Sequence, residues 1–349
     1  MTHADAQRSI YIDFECLKGG KGQKPHPALL GVLIGQDEDR LEQLIVDERL
    51  QPAHVARRER TRFVPLSDAV ETLVRTAISS GTRIVGWSFF DRDRMIDARP
   101  DLEADINACY VNAIQIARPW RQRLYPWFTI EREDQFAPRH TLDKYARLAE
   151  YRGAKALDGA TPAKWIQHVL DQLEAKDGRY RATTKATKRD WDRLLRYNRH
   201  DLVALRHIAL RATRENEAWS AYKKTRFCVD DGPRRICFMA GSANKKLDAL
   251  LERHGAKGWA FITAWNPGSI ELTRQENETR QTQLRRAVAE YKVLTGEGVG
   301  EDPRWMPEES LLILNISRGK AMSLGRRFGQ LAIVVGRRGE KSELLAISR

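Results

Sequence analysis

The chain has 349 residues, 42% of them hydrophobic and 31% charged, with a formal net charge of +13. That length suits two domains of ordinary size, and the composition excludes disorder as the dominant state. The basic excess recurs in pairs such as Arg57-Arg58, Lys223-Lys224, Arg234-Arg235 and Arg337-Arg338, which points to a polyanionic partner, DNA or RNA.

Residues 9–17 read S-I-Y-I-D-F-E-C-L before Gly19, Gly20, Gly22 and Pro25 break the chain, which predicts a strand running into a turn. Residues 29–35 and 43–47 are predicted strands, 65–79 a helix closed by Gly81, and 83–87 a fourth strand. From Asp91 the pattern is mainly helical, with loops over 119–138 and 153–162, up to a long helix over 189–214. A polar, turn-rich stretch over 225–235 then predicts a connector, dividing the chain into domains 1–225 and 226–349. Beyond it, predicted strands at 235–241, 259–265, 310–316, 331–336 and 343–347 are interspersed with helices at 244–254, 273–292 and 318–327, a second, smaller α/β unit.

Cys16, Cys109, Cys228 and Cys237 show no C-x-x-C spacing and no adjacent histidine set, so reduced, buried thiols are expected, without a zinc knuckle or a disulfide framework. The first nine residues are polar, and no stretch approaches the roughly 18 apolar residues of a membrane span. A cytoplasmic protein with no membrane partner is therefore expected; its oligomeric state is not legible.

Chemistry is suggested by carboxylates. Asp13 and Glu15, at i and i+2 of one strand, project from the same face. Two such charges in an apolar strand call for compensation, which hard cations with oxygen ligands supply. Asp91 follows the strand at 83–87, and Tyr197 and Asp201, at i and i+4, share one helix face. Taken singly, an exposed strand face, a helix cap and an amphipathic helix account for the same residues.

The ordered combination is more specific. D-x-E on the first strand, an acid after the fourth and Y-x-x-x-D on the late helix resemble the DEDD superfamily of RNase H-like 3′-5′ exonucleases, relatives of the DnaQ proofreading subunit. W-S-F-F-D-R-D-R-M and Y-N-R-H-D-L-V-A-L are similar to the second and third motifs of a family of RNase H-like exonucleases often found beside other nucleic-acid enzymes, and the resemblance spans about residues 8–212. It implies an α/β fold with an RNase H-like mixed sheet flanked by helices. It also implies Asp13, Glu15, Asp91 and Asp201 as ligands of two Mg²⁺ or Mn²⁺ ions, with Tyr197 orienting the attacking water. The tyrosine subtype is indicated, because Arg196 stands where the histidine subtype has its histidine. Asp93 competes with Asp91 for the second motif, and Asp91 is preferred.

His200 adjoins Asp201 but lies about 100° around the helix, so it reads as a satisfied or phosphate-facing histidine and not as the base. Trp87, Phe89 and Phe90 could stack on a terminal base, although packing beneath the sheet is the preferred expectation. The implied activity is a metal-dependent 3′-5′ exonuclease. A structure-specific endonuclease would use the same carboxylates, and a non-catalytic nucleic-acid binder could retain the fold.

Residues from about 234 to 348 resemble a small bacterial domain of unknown function through T-A-W-N-P-G-S at 263–269, E-N-E-T-R at 276–280, W-M-P-E-E-S at 305–310 and G-R-R-F-G-Q at 325–330. Asn277 with Arg280, and Arg326 with Gln330, share helical faces. A phosphate or nucleotide pocket would suit them, but turn capping at Asn266-Pro267 and bonding between elements are preferred, and no catalytic residue is assigned there.

Overall fold

The acidic strand forms as β1 (Ile10–Leu17), preceded by a short helix α1 (His3–Arg8). In this computed structural model the described residues are 1–20, 22–35, 40–55, 61–130, 140–151, 153, 162–302 and 305–347; the Arg57-Arg58 pair, residues 131–138 of the first expected loop and most of the second lie outside them, while residues 119–124 of the first are helical and not a loop. β1 pairs antiparallel with β2 (His26–Ile34), and β2 antiparallel with β3 (Leu41–Ile45). After helix α2 (Gln51–Val55), β4 (Thr61–Phe63) adds parallel to β3. Helix α3 (Leu66–Ser80) then leads to β5 (Ile84–Gly86), parallel to β1. Helices α4 (Phe89–Ala98) and α5 (Glu103–Cys109) lead to β6 (Tyr110–Asn112), parallel to β5. The order is β4-β3-β2-β1-β5-β6, with β2 alone reversed.

Helices α6 (Ile114–Leu124), α7 (Leu142–Leu148), α8 (Pro162–Glu174) and α9 (Lys185–Lys224) follow. Ile10, Ile12 and Phe14 pack one face of the sheet against Val70, Leu73 and Val74 of α3, Met95 of α4 and Ile106 of α5. Tyr11 packs on the opposite face with Leu202, Leu205 and Ala209 of α9. Since strand side chains alternate, Asp13 and Glu15 point to this α9 side. The result is an α/β arrangement in which helices flank a mixed sheet, as the resemblance implies. β4 and β6, each of three residues, were not expected.

The chain forms two compact units: Met1–Pro119 with Ile130–Thr213, and Trp120–Thr129 with Arg214–Arg349. The division falls within α9, ahead of the 225–235 stretch. That stretch is no connector: residues 226–231 are strand β7 (Arg226–Asp231), which turns through Gly232-Pro233 into β8 (Arg234–Met239). Its polar residues, misleading in the sequence, lie on an edge hairpin whose outward side is wet.

The second unit continues with α10 (Lys245–Arg253), β9 (Gly258–Thr263), α11 (Arg274–Ala287), β10 (Val293–Val299), β11 (Glu308–Leu314), α12 (Arg318–Arg327), β12 (Ala332–Arg337) and β13 (Glu343–Ala346). Its sheet is wholly antiparallel and curled, in the order β13-β12-β9-β11-β10-β7-β8. Alternation along β9 splits its residues between two cores. Trp259 and Phe261 meet Leu247, Leu250 and Leu251 of α10, whereas Ala260 and Ile262 meet Leu284 of α11 and Leu324 of α12. The predicted charged helix over 273–292 ends early, at Ala287, and β10 takes the residues from Val293.

Cys228 and Cys237 correct the cysteine reading. They stand directly opposite across the β7–β8 hairpin and form a disulfide, with Cα atoms 4.0 Å apart. Strand register brings them together, and a separation of nine residues gives no hint of it. Cys16 and Cys109 are free thiols.

Candidate metal centre

Asp13 leaves β1 toward α9, where Asn198 donates from Nδ2 to the Asp13 carboxylate at 2.9 Å and to its main-chain carbonyl at 3.1 Å. Asn198 is itself held: Gln43 of β3 donates to its Oδ1 at 3.0 Å and to the Leu195 carbonyl at 2.8 Å. The helix comes this close because Gly31, the β2 partner of Asp13, has no side chain; a Cβ there would collide with Asn198 Oδ1 and Leu202 Cδ1.

Asp91 sits in the first turn of α4, whose N-cap Ser88 accepts from Phe90 N–H at 3.1 Å. The carboxylate turns inward, 5% exposed, and accepts from Phe14 N–H at 3.3 Å, which ties it to β1 between Asp13 and Glu15. Gly86 makes room for it, since a Cβ would meet Asp91 Oδ2 at 2.9 Å and also the Tyr110 hydroxyl, which donates to the Ser88 carbonyl. Asp93 points the other way, half exposed and paired with Arg92 at 2.8 Å. The structure therefore places Asp91, and not Asp93, against the acidic strand.

Asp201 reaches the same place from α9. One carboxylate oxygen from each of Asp13, Glu15 and Asp201 lies within 4.8 Å of the others. Asp91 is not in that trio but is near enough for the Asp13 charge to act on it. Tyr197, half-buried with its ring 6.0 Å from Trp165, lies near enough to Asp201 for that charge to act on its phenol. Asp13, Glu15, Tyr197 and Asp201 thus lie on the α9 side of the sheet, and Asp91 reaches the β1 main chain from α4.

The electrostatics are uncompensated. Burial pushes the Asp13 carboxyl up to about 6 against the lowering bond from Asn198. Burial and the Asp13 charge push Asp91 to about 8. Glu15 and Asp201 are raised well above the carboxylate range, by burial first and then by Asp13. Burial and the Asp201 charge raise the Tyr197 phenol as well, so its hydroxyl stays protonated. One oxygen of Glu15, Oε1, is buried without a hydrogen-bond partner among the described residues, and Glu15 as a whole is 6% exposed. A buried carboxylate oxygen that meets no donor is fit for a hard cation, and the all-oxygen donor set suits Mg²⁺ or Mn²⁺. The residues present therefore fit the implied metal.

Three participants were missed in the sequence. Asn198 and Gln43 form the support behind Asp13, and Asp143 of α7 forms a second trio with His200 and Asp201, again with one ligand atom each within 4.8 Å. Only an acid and a histidine in ordinary helices could have signalled the latter. His200 is not a satisfied histidine at one nitrogen: its Nδ1 is buried without a hydrogen bond among the described residues, and burial lowers its pKa. Neighbouring positions on a helix diverge at the backbone, yet His200 and Asp201 converge at their tips. Phe89 and Phe90 also depart, each 40% exposed and not packed beneath the sheet, with Arg92 4.3 Å from the Phe89 ring and Arg94 5.2 Å from that of Phe90. Trp87 is partly buried, donating to the His140 carbonyl at 3.0 Å.

In the second unit, the preferred bonding role describes its motif residues. Asn266, in the left-handed region at φ 45°, donates its N–H to Asn277 Oδ1 at 2.9 Å, and Asn277 Nδ2 returns a bond to Asn266 Oδ1 at 3.0 Å. Arg280 donates to the carbonyls of Ala264 at 2.8 Å and Phe328 at 2.5 Å, and Gln330 to that of Trp265 at 2.8 Å.

Residues 262–333 match the family model of a protein of unknown function (DUF3293), which covers that part of the second unit. No curated protein matches the chain. Among the described residues, no helix is long and apolar enough to cross a membrane.

Proposed function

We propose that the chain is a metal-dependent 3′-5′ exonuclease that hydrolyses phosphodiester bonds of DNA or RNA. The observation that carries this reading is the meeting of Asp13, Glu15 and Asp201 within 4.8 Å, from two segments far apart in sequence, with one Glu15 oxygen that no donor among the described residues reaches. The mixed sheet with one reversed strand, the D-x-E, Asp91 and Y-x-x-x-D order and the basic composition support it.

Asp13, Glu15, Asp91 and Asp201 would hold Mg²⁺ or Mn²⁺, which would activate water and stabilise the leaving 3′ oxygen. The protein's part is positional. Asn198, fixed by Gln43, holds Asp13 in one orientation, and Phe14 N–H with the first turn of α4 holds Asp91. The protonated Tyr197 hydroxyl can orient a water but is too weak an acid to serve as the base. Exposed Phe89 and Phe90, following the β5 end, offer rings on which a terminal base can stack.

The test is digestion of single- and double-stranded DNA and RNA labelled at the 3′ or the 5′ end, with Mg²⁺, Mn²⁺ or EDTA. Metal-dependent release of mononucleotides from the 3′ end is expected. Internal cuts would replace the reading by an endonuclease, and no cleavage of any substrate with either metal would refute it.

A further inference from the structure

The second unit holds a cavity of about 530 Å³ that none of the nuclease residues touches. Its floor is the sheet face that α10 covers at the other end, and the residues there are small: Thr263 of β9, Gly298 of β10, Ser310 of β11 and Ala332 of β12. Its walls are aromatic, formed by Tyr222, Phe227, Phe261 and Trp305. The size lies within the roughly 300–1,000 Å³ of small-molecule sites.

Glu308 supplies the polar end. Its Oε1 accepts from Asn266 Nδ2 at 2.7 Å and from Trp305 Nε1 at 3.2 Å. Both donors are neutral and both bind the same oxygen; Oε2 receives no hydrogen bond from a described residue, and no described cation pairs with the side chain. Burial raises the Glu308 carboxyl, which a donor on Oε2 would counter. Around it, acids outnumber bases: Glu217, Glu301, Asp302 and Glu308 against Arg214 and Lys224. In a protein of net charge +13, this lining disfavours a phosphate. Arg280, the motif arginine, is occupied by two main-chain carbonyls.

We propose that this cavity binds the amine-bearing heterocycle of a nucleoside, with the ring among the aromatic walls and its exocyclic amine donating to Glu308. A carboxylate accepts from the amine of cytosine or adenine. Uracil is disfavoured, because the carbonyls flanking its only ring N–H face the carboxylate. The proposal rests on the cavity and not on the nuclease reading, and its readout is binding.

The test is calorimetric titration of the full chain with cytidine, adenosine, uridine, putrescine and a single-stranded oligodeoxycytidylate. Cytidine or adenosine should bind at least about tenfold more tightly than uridine or putrescine. Glu308→Gln should abolish that preference, and Ala332→Leu, which fills the floor while leaving Glu308 in place, should remove binding. Binding of cytidine but not the oligomer marks a free nucleoside as the ligand, and comparable binding of both marks an unpaired base of a strand; either supports the site. Equal affinity for uridine and cytidine, tighter binding of putrescine, no binding of any nucleoside, or wild-type binding by folded Ala332→Leu overturns it.

Discussion

The two units bury polar groups to opposite ends. In the first, Asp13, Glu15, Asp91 and Asp201 crowd together, and each is pushed toward protonation. In the second, Asn266, Asn277 and Gln330 exchange bonds with one another's elements, and Asn277 alone links Asn266 N–H, Asn266 Oδ1 and the Leu272 carbonyl. Leaving a buried polar group unmade costs about 1–3 kcal/mol, more for a charge, so a satisfied network serves the fold. A crowded set of buried acids is what a bound hard cation would relieve. That contrast separates a site for a ligand from a structural knot, although both are sets of polar residues from distant segments.

Substitutions in the frustrated cluster should affect turnover most. Asp13→Ala or Asp201→Ala should lower it by about 10³-fold or more in a labelled-strand assay, while affinity for nucleic acid, carried by dispersed Lys and Arg, changes little. Wild-type, metal-dependent digestion by either variant would break the comparison. Tyr197→Phe keeps the ring and loses the hydroxyl, so a smaller loss is expected, about 10²- to 10³-fold, with metal binding intact.

Stability should sharpen it further. Acids whose folded pKa lies above the ordinary value of about 4 keep their protons longer in the folded state. Below that value both states are protonated and no penalty exists. As pH rises, the unfolded chain ionises first, and the penalty grows until pH passes the folded values, about 6 for Asp13 and about 8 for Asp91. In EDTA the melting temperature of the first unit should therefore fall between about pH 5 and pH 8, and Mn²⁺ should restore several degrees at pH 8. Asp13→Asn should melt above the wild type in EDTA at pH 8 and show a smaller Mn²⁺ response. A wild-type melting temperature indifferent to both pH and metal would remove the frustration argument.

The smallest effect on catalysis belongs to the satisfied network. Asn277→Ala should cost about 1–3 kcal/mol in denaturant unfolding of the second unit, because the groups it serves lose their partner, with digestion unchanged.

Much of this site was legible. Strand alternation alone puts Asp13 and Glu15 on one face, and helical spacing puts Tyr197 with Asp201. The choice of Asp91 over Asp93 was readable only as a preference, and burial behind Gly86 is what separates them. The supporting groups were silent, since Gln43 meets Asn198 across 155 residues and an amide has no signature of its own. The disulfide was missed for the same kind of reason: Cys228 meets Cys237 through a hairpin register hidden in what looked like a linker. Local pattern reports what one element presents, whereas pairing between elements is settled by the fold.

The chain of amides behind Asp13 has a direction. Gln43 uses both N–H groups, on the Leu195 carbonyl and on Asn198 Oδ1, and so tells the Asn198 amide which end is oxygen. Asn198 then has only its nitrogen to turn toward Asp13, and both of its N–H groups are taken there, by carbonyl and carboxylate. The side chain cannot reverse without setting oxygen against oxygen at Asp13 and nitrogen against nitrogen at Gln43. An uncharged residue on β3 thereby acts as a polariser for an acid two strands away, and aspartate at position 198, nearly identical in shape, would transmit the opposite message.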